Sequence, residues 1–230
     1  MKLVLFDIDG TLLNSDGAGR RAIQRALIEA FGTAGPDSHR FDGKTDPQIV
    51  SELMALAGVD PALVNARMDA VFARYVELLS TELATPEHTA VAYPGVLELL
   101  DALERHDDVM LGLLTGNVLP GAHAKLGAVG IVPARFRVGA FGSDHAVRAE
   151  LPAIAQARAA AMLGVEMPGG SITVIGDTPA DLTCGRGVGA RALGVATGHY
   201  SVAELTTYEP AAVFADFRDT GAVVSAILDG

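Results

Sequence analysis

The apolar run Leu3-Val4-Leu5-Phe6 ends in Asp7-Ile8-Asp9-Gly10-Thr11, and this junction constrains the fold more than any other segment. An unbroken apolar run bounded by turn-forming residues reads as a strand buried on both faces. Two carboxylates one residue apart at its carboxyl end repel each other unless a cation or a shared proton relieves them. In an open α/β sheet, that end is where ligands bind. A turn built merely from Asp and Gly is the plainer alternative.

From Tyr93 onward the chain alternates between strand and helix patterns. Pro94-Gly95 opens a helical stretch at 96–105 with Leu97, Leu100 and Leu103 on one face. Residues 109–114 read as a second buried strand, which ends in Thr115-Gly116-Asn117. An Ala-rich helix is expected at 150–163, with Pro152 in its first turn. A third buried strand at 171–175 ends in Gly176-Asp177-Thr178-Pro179, and a helix at 180–188 is stopped by Gly187 and Gly189. Short strands are expected at 190–195 and 212–214. Strands separated by helices imply an α/β fold with a doubly wound parallel sheet and right-handed crossovers.

Residues 16–92 carry no convincing strand. Helical periodicity occupies 18–31, 46–56 and 61–83, with looser joints at 32–37 and 84–93. A helical insertion of about 75 residues directly after a first strand is too long for an ordinary crossover and reads as a lid. The expected organisation is a core of 1–15 and 93–230 with an all-helical cap at 16–92.

Charge narrows the partners. A net charge of −11 argues against nucleic acid or an anionic membrane surface. It leaves room for an anionic substrate, because a metal and local cations reverse the field inside a cleft. Cys184 is the single cysteine, so no intrachain disulfide exists and a reducing, cytoplasmic location is expected. The apolar run before Asp7 is too short for a signal peptide, and 109–124 is broken by Gly, Asn and Pro.

Three strands thus end in polar clusters: Asp7/Asp9, Thr115/Asn117 and Asp177/Asp181. A parallel sheet brings all such ends to one edge. Carboxylates gathered there need a divalent cation, and all-oxygen ligation favours Mg²⁺. The histidines are scattered and offer no zinc alternative. Asp181, in the first turn of a helix, is also explained as a helix-terminal charge.

Asp7-Ile8-Asp9-Gly10-Thr11, Leu114-Thr115-Gly116-Asn117 and Gly176-Asp177-Thr178-Pro179-Ala180-Asp181 resemble motifs one, two and four of the haloacid dehalogenase-like hydrolases. Their order and spacing are similar to the branch with a helical cap after the first strand, where phosphoglycolate phosphatases and β-phosphoglucomutases belong. The resemblance implies a Rossmann-like core, bound Mg²⁺ and an aspartyl-phosphate intermediate. It makes Asp7 the nucleophile and Asp9 the acid that protonates the leaving oxygen and then activates water. Such double duty calls for a raised pKa at Asp9. The resemblance places the metal between Asp7, the main-chain carbonyl of Asp9 and Asp177, with Asp181 orienting a metal-bound water. Thr115 and the following N–H groups of Gly116 and Asn117 would hold phosphoryl oxygens.

The third motif departs from the family pattern, which has a lysine between motifs two and four. Lys125 follows motif two too closely and lies in a predicted helix. Arg148, just before the helix at 150–163, is the better candidate, because a guanidinium grips phosphoryl oxygens in bidentate fashion. Its plainer alternative is a surface residue beside Asp144 and Glu150.

Other signals carry less. Lys44, within Gly43-Lys44-Thr45, reads either as a substrate-facing cation or as a solvated loop lysine. Gly185-Arg186-Gly187-Val188-Gly189-Ala190 follows a helix instead of opening one, so it is a helix end and not a dinucleotide fingerprint. Cys184 reads as a small core residue and His145 as a loop histidine.

The expected activity is a Mg²⁺-dependent phosphomonoesterase acting on a small phosphorylated metabolite, most like phosphoglycolate phosphatase. A β-phosphoglucomutase-like transfer to a second sugar oxygen is the enzymatic alternative. A non-catalytic binding protein on the same fold is the minor one, since it would be expected to lack Asp7 or Asp9. Dehalogenase and phosphonate-cleaving branches are set aside because they lack an acid at the position of Asp9.

Overall fold

The computed structural model describes residues 1–87 and 89–229; His88, within the expected joint at 84–93, lies outside them. The chain opens with β1 (Lys2–Phe6) and a two-residue strand β2 (Leu13–Asn14), then three helices, α1 (Ala18–Phe31), α2 (Asp46–Leu56) and α3 (Pro61–Leu83). A second two-residue strand β3 (Val91–Ala92) precedes α4 (Val96–Leu103), β4 (Val109–Leu114), α5 (Leu119–Ala128) and β5 (Val138–Ala140). Then follow α6 (Leu151–Leu163), β6 (Ile172–Gly176), α7 (Pro179–Cys184), β7 (Arg191–Val195), α8 (Val202–Thr206), β8 (Ala212–Phe214) and α9 (Thr220–Leu228).

The main sheet has the order β5-β4-β1-β6-β7-β8, with every pairing parallel. β1 is central because it is buried on both faces. Val4 and Phe6 join the cluster that includes Leu99, Leu100 and Val223, while Leu3 and Leu5 join Leu151, Ala155 and Cys184 on the other side. That double burial explains the unbroken apolar run. Register then fixes the working edge. Phe6 sits opposite Leu113 of β4 and opposite Ile175 of β6, so the residues just after all three strands converge.

Helices α1, α2 and α3 pack on each other through a separate apolar cluster that includes Leu27, Leu53, Met54 and Leu79. α2 and α3 start where the sequence says they should. Thr45 and Asp60 cap them by accepting N–H groups of Gln48 and Ala62, and each has a proline in its first turn. Entry to and exit from this layer is an antiparallel ribbon, Leu13 opposite Ala92 and Asn14 opposite Val91. Two-residue strands have no alternation to read, so this ribbon, whose second strand falls in the looser joint at 84–93, leaves no mark in the sequence. β5, of three residues, escaped for the same reason, and α9 also went unread. Among the described residues, no helix is long and apolar enough to cross a membrane.

Candidate active site

A cleft of about 560 Å³ lies between the carboxyl edge of the sheet and the helical layer, lined by Asp7, Asp9, Thr115, Arg148 and Asp177 from the sheet side. Arg20 of α1, Tyr75 of α3 and Lys44, just before α2, also line it. At its floor, Asp7, Asp177 and Asp181 bring carboxylate oxygens within 4.8 Å of one another, all three buried. Backbone alone explains the approach. Gly10 has φ +83°, and a Cβ there, or on Gly198, would overlap the Asp177 carboxylate.

Such a cluster resists ionisation. Burial, opposed by Arg148 and reinforced by Asp181 and Asp9, pushes the Asp7 carboxyl up to about 6. Burial, then repulsion from Asp181 and Asp7, drives Asp177 well above the ordinary range, although it accepts the Thr11 hydroxyl at 3.0 Å. Three carboxylates facing one guanidinium leave an excess of negative charge that a hard divalent cation would neutralise. The donors are all oxygen, as such an ion requires. The residues present therefore fit a metal.

Arg148 is the residue among them that carries positive charge. It is buried, sits in a one-turn helix (Arg148–Glu150) before α6, and its Nη2 lies 3.2 Å from Asp7 Oδ1. The same nitrogen donates to Asp181 Oδ1 and to the Leu114 carbonyl. The surface alternative for Arg148 is thereby excluded. Asp181 is fully buried and its other oxygen closes a capping box, accepting the N–H and hydroxyl of Thr178 (3.0 and 2.6 Å). Asp181 thus caps α7 and also lies in the acidic cluster.

Asp9 takes a different direction. Its carboxylate is not in the trio. Oδ2 accepts from Lys125 Nζ at 2.6 Å and from Asn117 Nδ2 at 2.8 Å, and Oδ1 from the Ser15 hydroxyl at 3.3 Å. This corrects two expectations. Lys125 does lie in a helix, α5, but its side chain is buried and runs back to the site. The Asp9 carboxyl is held below its ordinary range, not above it. Burial pushes it up, but the charge and hydrogen bond of Lys125, with Asn117 and Ser15, outweigh that. The missed signal was spacing: Lys125 stands eight positions after Asn117, whose Oδ1 it also reaches at 2.6 Å.

Asn117 spends its side chain inside the protein, on Asp9, Lys125 and the Thr115 hydroxyl. Thr115 Oγ1 accepts from Asn117, so its own proton is not committed there. The Gly116 carbonyl accepts the Asp46 N–H at 2.7 Å, and a Cβ on Gly116 would overlap the Lys44 carbonyl. Lys44 lines the cleft, yet its ammonium pairs with Glu52 at 2.5 Å and lies 3.2 Å from His39. Cys184 is buried, and burial pushes its thiol up to about 12, which leaves it unreactive. His145 is exposed and turns back on Val147.

Known proteins share this architecture. The chain is 30% identical over 223 residues to a phosphoglycolate phosphatase of Rhodospirillum rubrum, covering 96% of this chain and 89% of that protein. Its fold is similar to that of a hydrolase from Pseudomonas syringae, with a TM-score of 0.74 at 22% identity and 99% coverage of both chains. CbbY from Rhodobacter sphaeroides, solved with phosphate, gives a TM-score of 0.72 at 20% identity and 96% coverage of both. The family model of the haloacid dehalogenase-like hydrolases matches residues 4–186. Its floor of carboxylates, its parallel sheet and this match agree: the chain belongs to the haloacid dehalogenase-like hydrolase family.

Proposed function

We propose that the protein is a Mg²⁺-dependent phosphomonoesterase for a small phosphorylated metabolite, similar in activity to phosphoglycolate phosphatase. The carrying observation is the position of Asp7. Its carboxylate lies beside Arg148 and within the acidic trio, at the carboxyl edge of the parallel sheet. Asp7, the main-chain carbonyl of Asp9 and Asp177 would hold the ion. Bound there, Mg²⁺ supplies charge neutralisation between the nucleophile and a phosphoryl group.

In the proposed reaction an Asp7 oxygen bonds to phosphorus as the bond to the leaving oxygen breaks, and Asp9 gives that oxygen its proton. Water then yields a proton to Asp9 and attacks the same phosphorus, breaking the bond to Asp7 and releasing phosphate. Before substrate arrives, Lys125 keeps Asp9 ionised. An incoming phosphoryl anion offsets that ammonium and favours the protonated acid. Arg148 and Thr115 would bind phosphoryl oxygens, Asp181 holding Arg148 in place. Lys44 would supply a cation from the helical side when substrate competes for it with Glu52. Residues 16–92 would act as the cap that excludes bulk water.

Asp7→Asn tests the reading. Phosphate release from a panel of phosphorylated metabolites with Mg²⁺ should fall by at least about 10³-fold, while circular dichroism stays unchanged. Retained turnover would refute the nucleophile. Chelation of divalent ions should also stop the wild-type reaction, and accumulation of an isomerised sugar phosphate in place of free phosphate would favour a mutase.

A further inference from the structure

A second buried cation of the cleft, besides Arg148, is Lys125, which follows the second motif too closely to match the family's lysine. Lys125 sits near the C-terminal end of α5, with its side chain only 6% exposed, and its ammonium contacts Asp9 and Asn117 at 2.6 Å each. Asn117 closes the triangle by donating to the same Asp9 oxygen. From the helical layer, α1 presses on this group. A Cβ on Gly19 would lie 3.1 Å from the ammonium nitrogen and 3.6 Å from the Tyr75 hydroxyl. A glycine in the first turn of α1 therefore lets the layer seal Lys125 from water.

Burying a lysine costs about several kcal/mol unless it is paired, and a salt bridge that only held the fold would not need to use a cleft carboxylate. The pairing is also one-sided. Both strong contacts fall on Oδ2, while Oδ1 keeps only the longer contact with Ser15. We propose that Lys125 is a positioning residue: with Asn117 it fixes Oδ2 of Asp9, so that Oδ1 is the oxygen presented to the leaving group. This rests on the reading of Asp9 as the acid and adds the group that aims it. Arg148 serves the nucleophile and Lys125 serves the acid, which divides between two cations the charge work around the acidic floor.

The consequence is dependence on the leaving group. An alkoxide must be protonated as it departs, whereas 4-nitrophenolate need not be. In Lys125→Met, kcat/KM, which reports only the steps up to departure of the leaving group and not the later hydrolysis shared by both substrates, should fall about 100-fold on a primary alkyl phosphate and less than about fivefold on 4-nitrophenyl phosphate. Lys125→Arg, which retains the charge, should recover part of the alkyl-phosphate rate. Equal losses on both substrates, or none on either, would overturn the proposal. If Lys125→Met does not fold by circular dichroism, Lys125→Gln reads the same split. Asp9→Asn, measured alongside, separates the two claims. Retained alkyl-phosphate turnover there refutes the acid assignment itself. Loss in Asp9→Asn with an unchanged profile in the Lys125 variants removes Lys125 alone.

Discussion

The carboxylate of Asp46, at the start of α2, accepts the backbone N–H of Val118 at 2.8 Å, while the Asp46 N–H donates to the Gly116 carbonyl. One residue of the helical layer thus holds both sides of the loop that follows β4. Burial pushes the Asp46 carboxyl from 3.8 up to about 6, opposed by the charge of Lys125 and the Val118 N–H and aided by Asp9. Between those two values the folded chain binds more protons at this site than the unfolded chain does. Stability from this group is therefore fully present below about 3.8 and is lost as pH rises through about 6. Asp46→Asn keeps an acceptor for Val118 and cannot titrate. In urea denaturation from about pH 4 to 7, the variant should gain on the wild type as pH rises. A difference that stays flat would deny the shift, since the other carboxyls are common to both proteins.

Arg148 is held between Asp7 and Asp181, which are 8% and 0% exposed in their side chains. Removing it leaves buried carboxylates facing one another without a cation. Arg148→Ala should cost about 3–5 kcal/mol of stability and sharply weaken phosphate-ester turnover. Millimolar Mg²⁺ should restore part of the stability, because an ion in the trio supplies the missing charge, but not the turnover. Arg148→Lys should fall between, as an ammonium cannot reach two carboxylates and a carbonyl from one planar group. Chemical denaturation with and without Mg²⁺ reads the first effect and initial rates read the second.

Why these features were legible from sequence, and others not, follows from what each residue has to satisfy. β1, β4 and β6 are buried on both faces, so they leave unbroken apolar runs. Asp7, Asp9 and Asp177 stand at the ends of those runs, where packing alone cannot account for acid. α1, α2 and α3 fall at 18–31, 46–56 and 61–83 as periodicity and helix-favouring residues indicate. Lys125 is hidden because helical periodicity locates a residue on α5 but says nothing of what lies across from it. Its partner Asp9 is 116 positions away. The sign of the Asp9 shift failed with it, for the deciding charge was the one set aside. Arg148 leaves no periodic mark either; only its charge, set between the second and fourth motifs, points to the place beside Asp7 where it lies.

Glycines give a sharper test of the proposed metal site than its acids do. Gly198 follows β7, and a Cβ there would overlap Asp177. Gly198→Ala should displace that carboxylate without removing it, lowering Mg²⁺ affinity by at least about tenfold in titration calorimetry. Gly127 in α5 is the contrast, with nothing within 4 Å of its Cβ position. Gly127→Ala should add about 0.5–1 kcal/mol of stability and leave the ion affinity unchanged. Equal behaviour of the two variants would deny Asp177 a place at the ion.

Thr45 joins the helical layer to the segment that carries Arg148. It is fully buried, its hydroxyl donates to the Ala146 carbonyl at 2.5 Å, and its oxygen accepts the Gln48 N–H as the cap of α2. Ala146 stands two positions before Arg148, so this bond fixes the approach of the guanidinium to Asp7 as well as the start of the helix. Thr45→Val retains the shape and removes both bonds, which should cost about 1–2 kcal/mol. If the bond matters only to the fold, the melting temperature alone will move. If it also sets Arg148, kcat should fall about tenfold at temperatures where the variant is fully folded, and Thr45→Ser should restore it. Separation of the two effects by temperature decides whether the layer merely rests on the sheet or helps to hold its site in order.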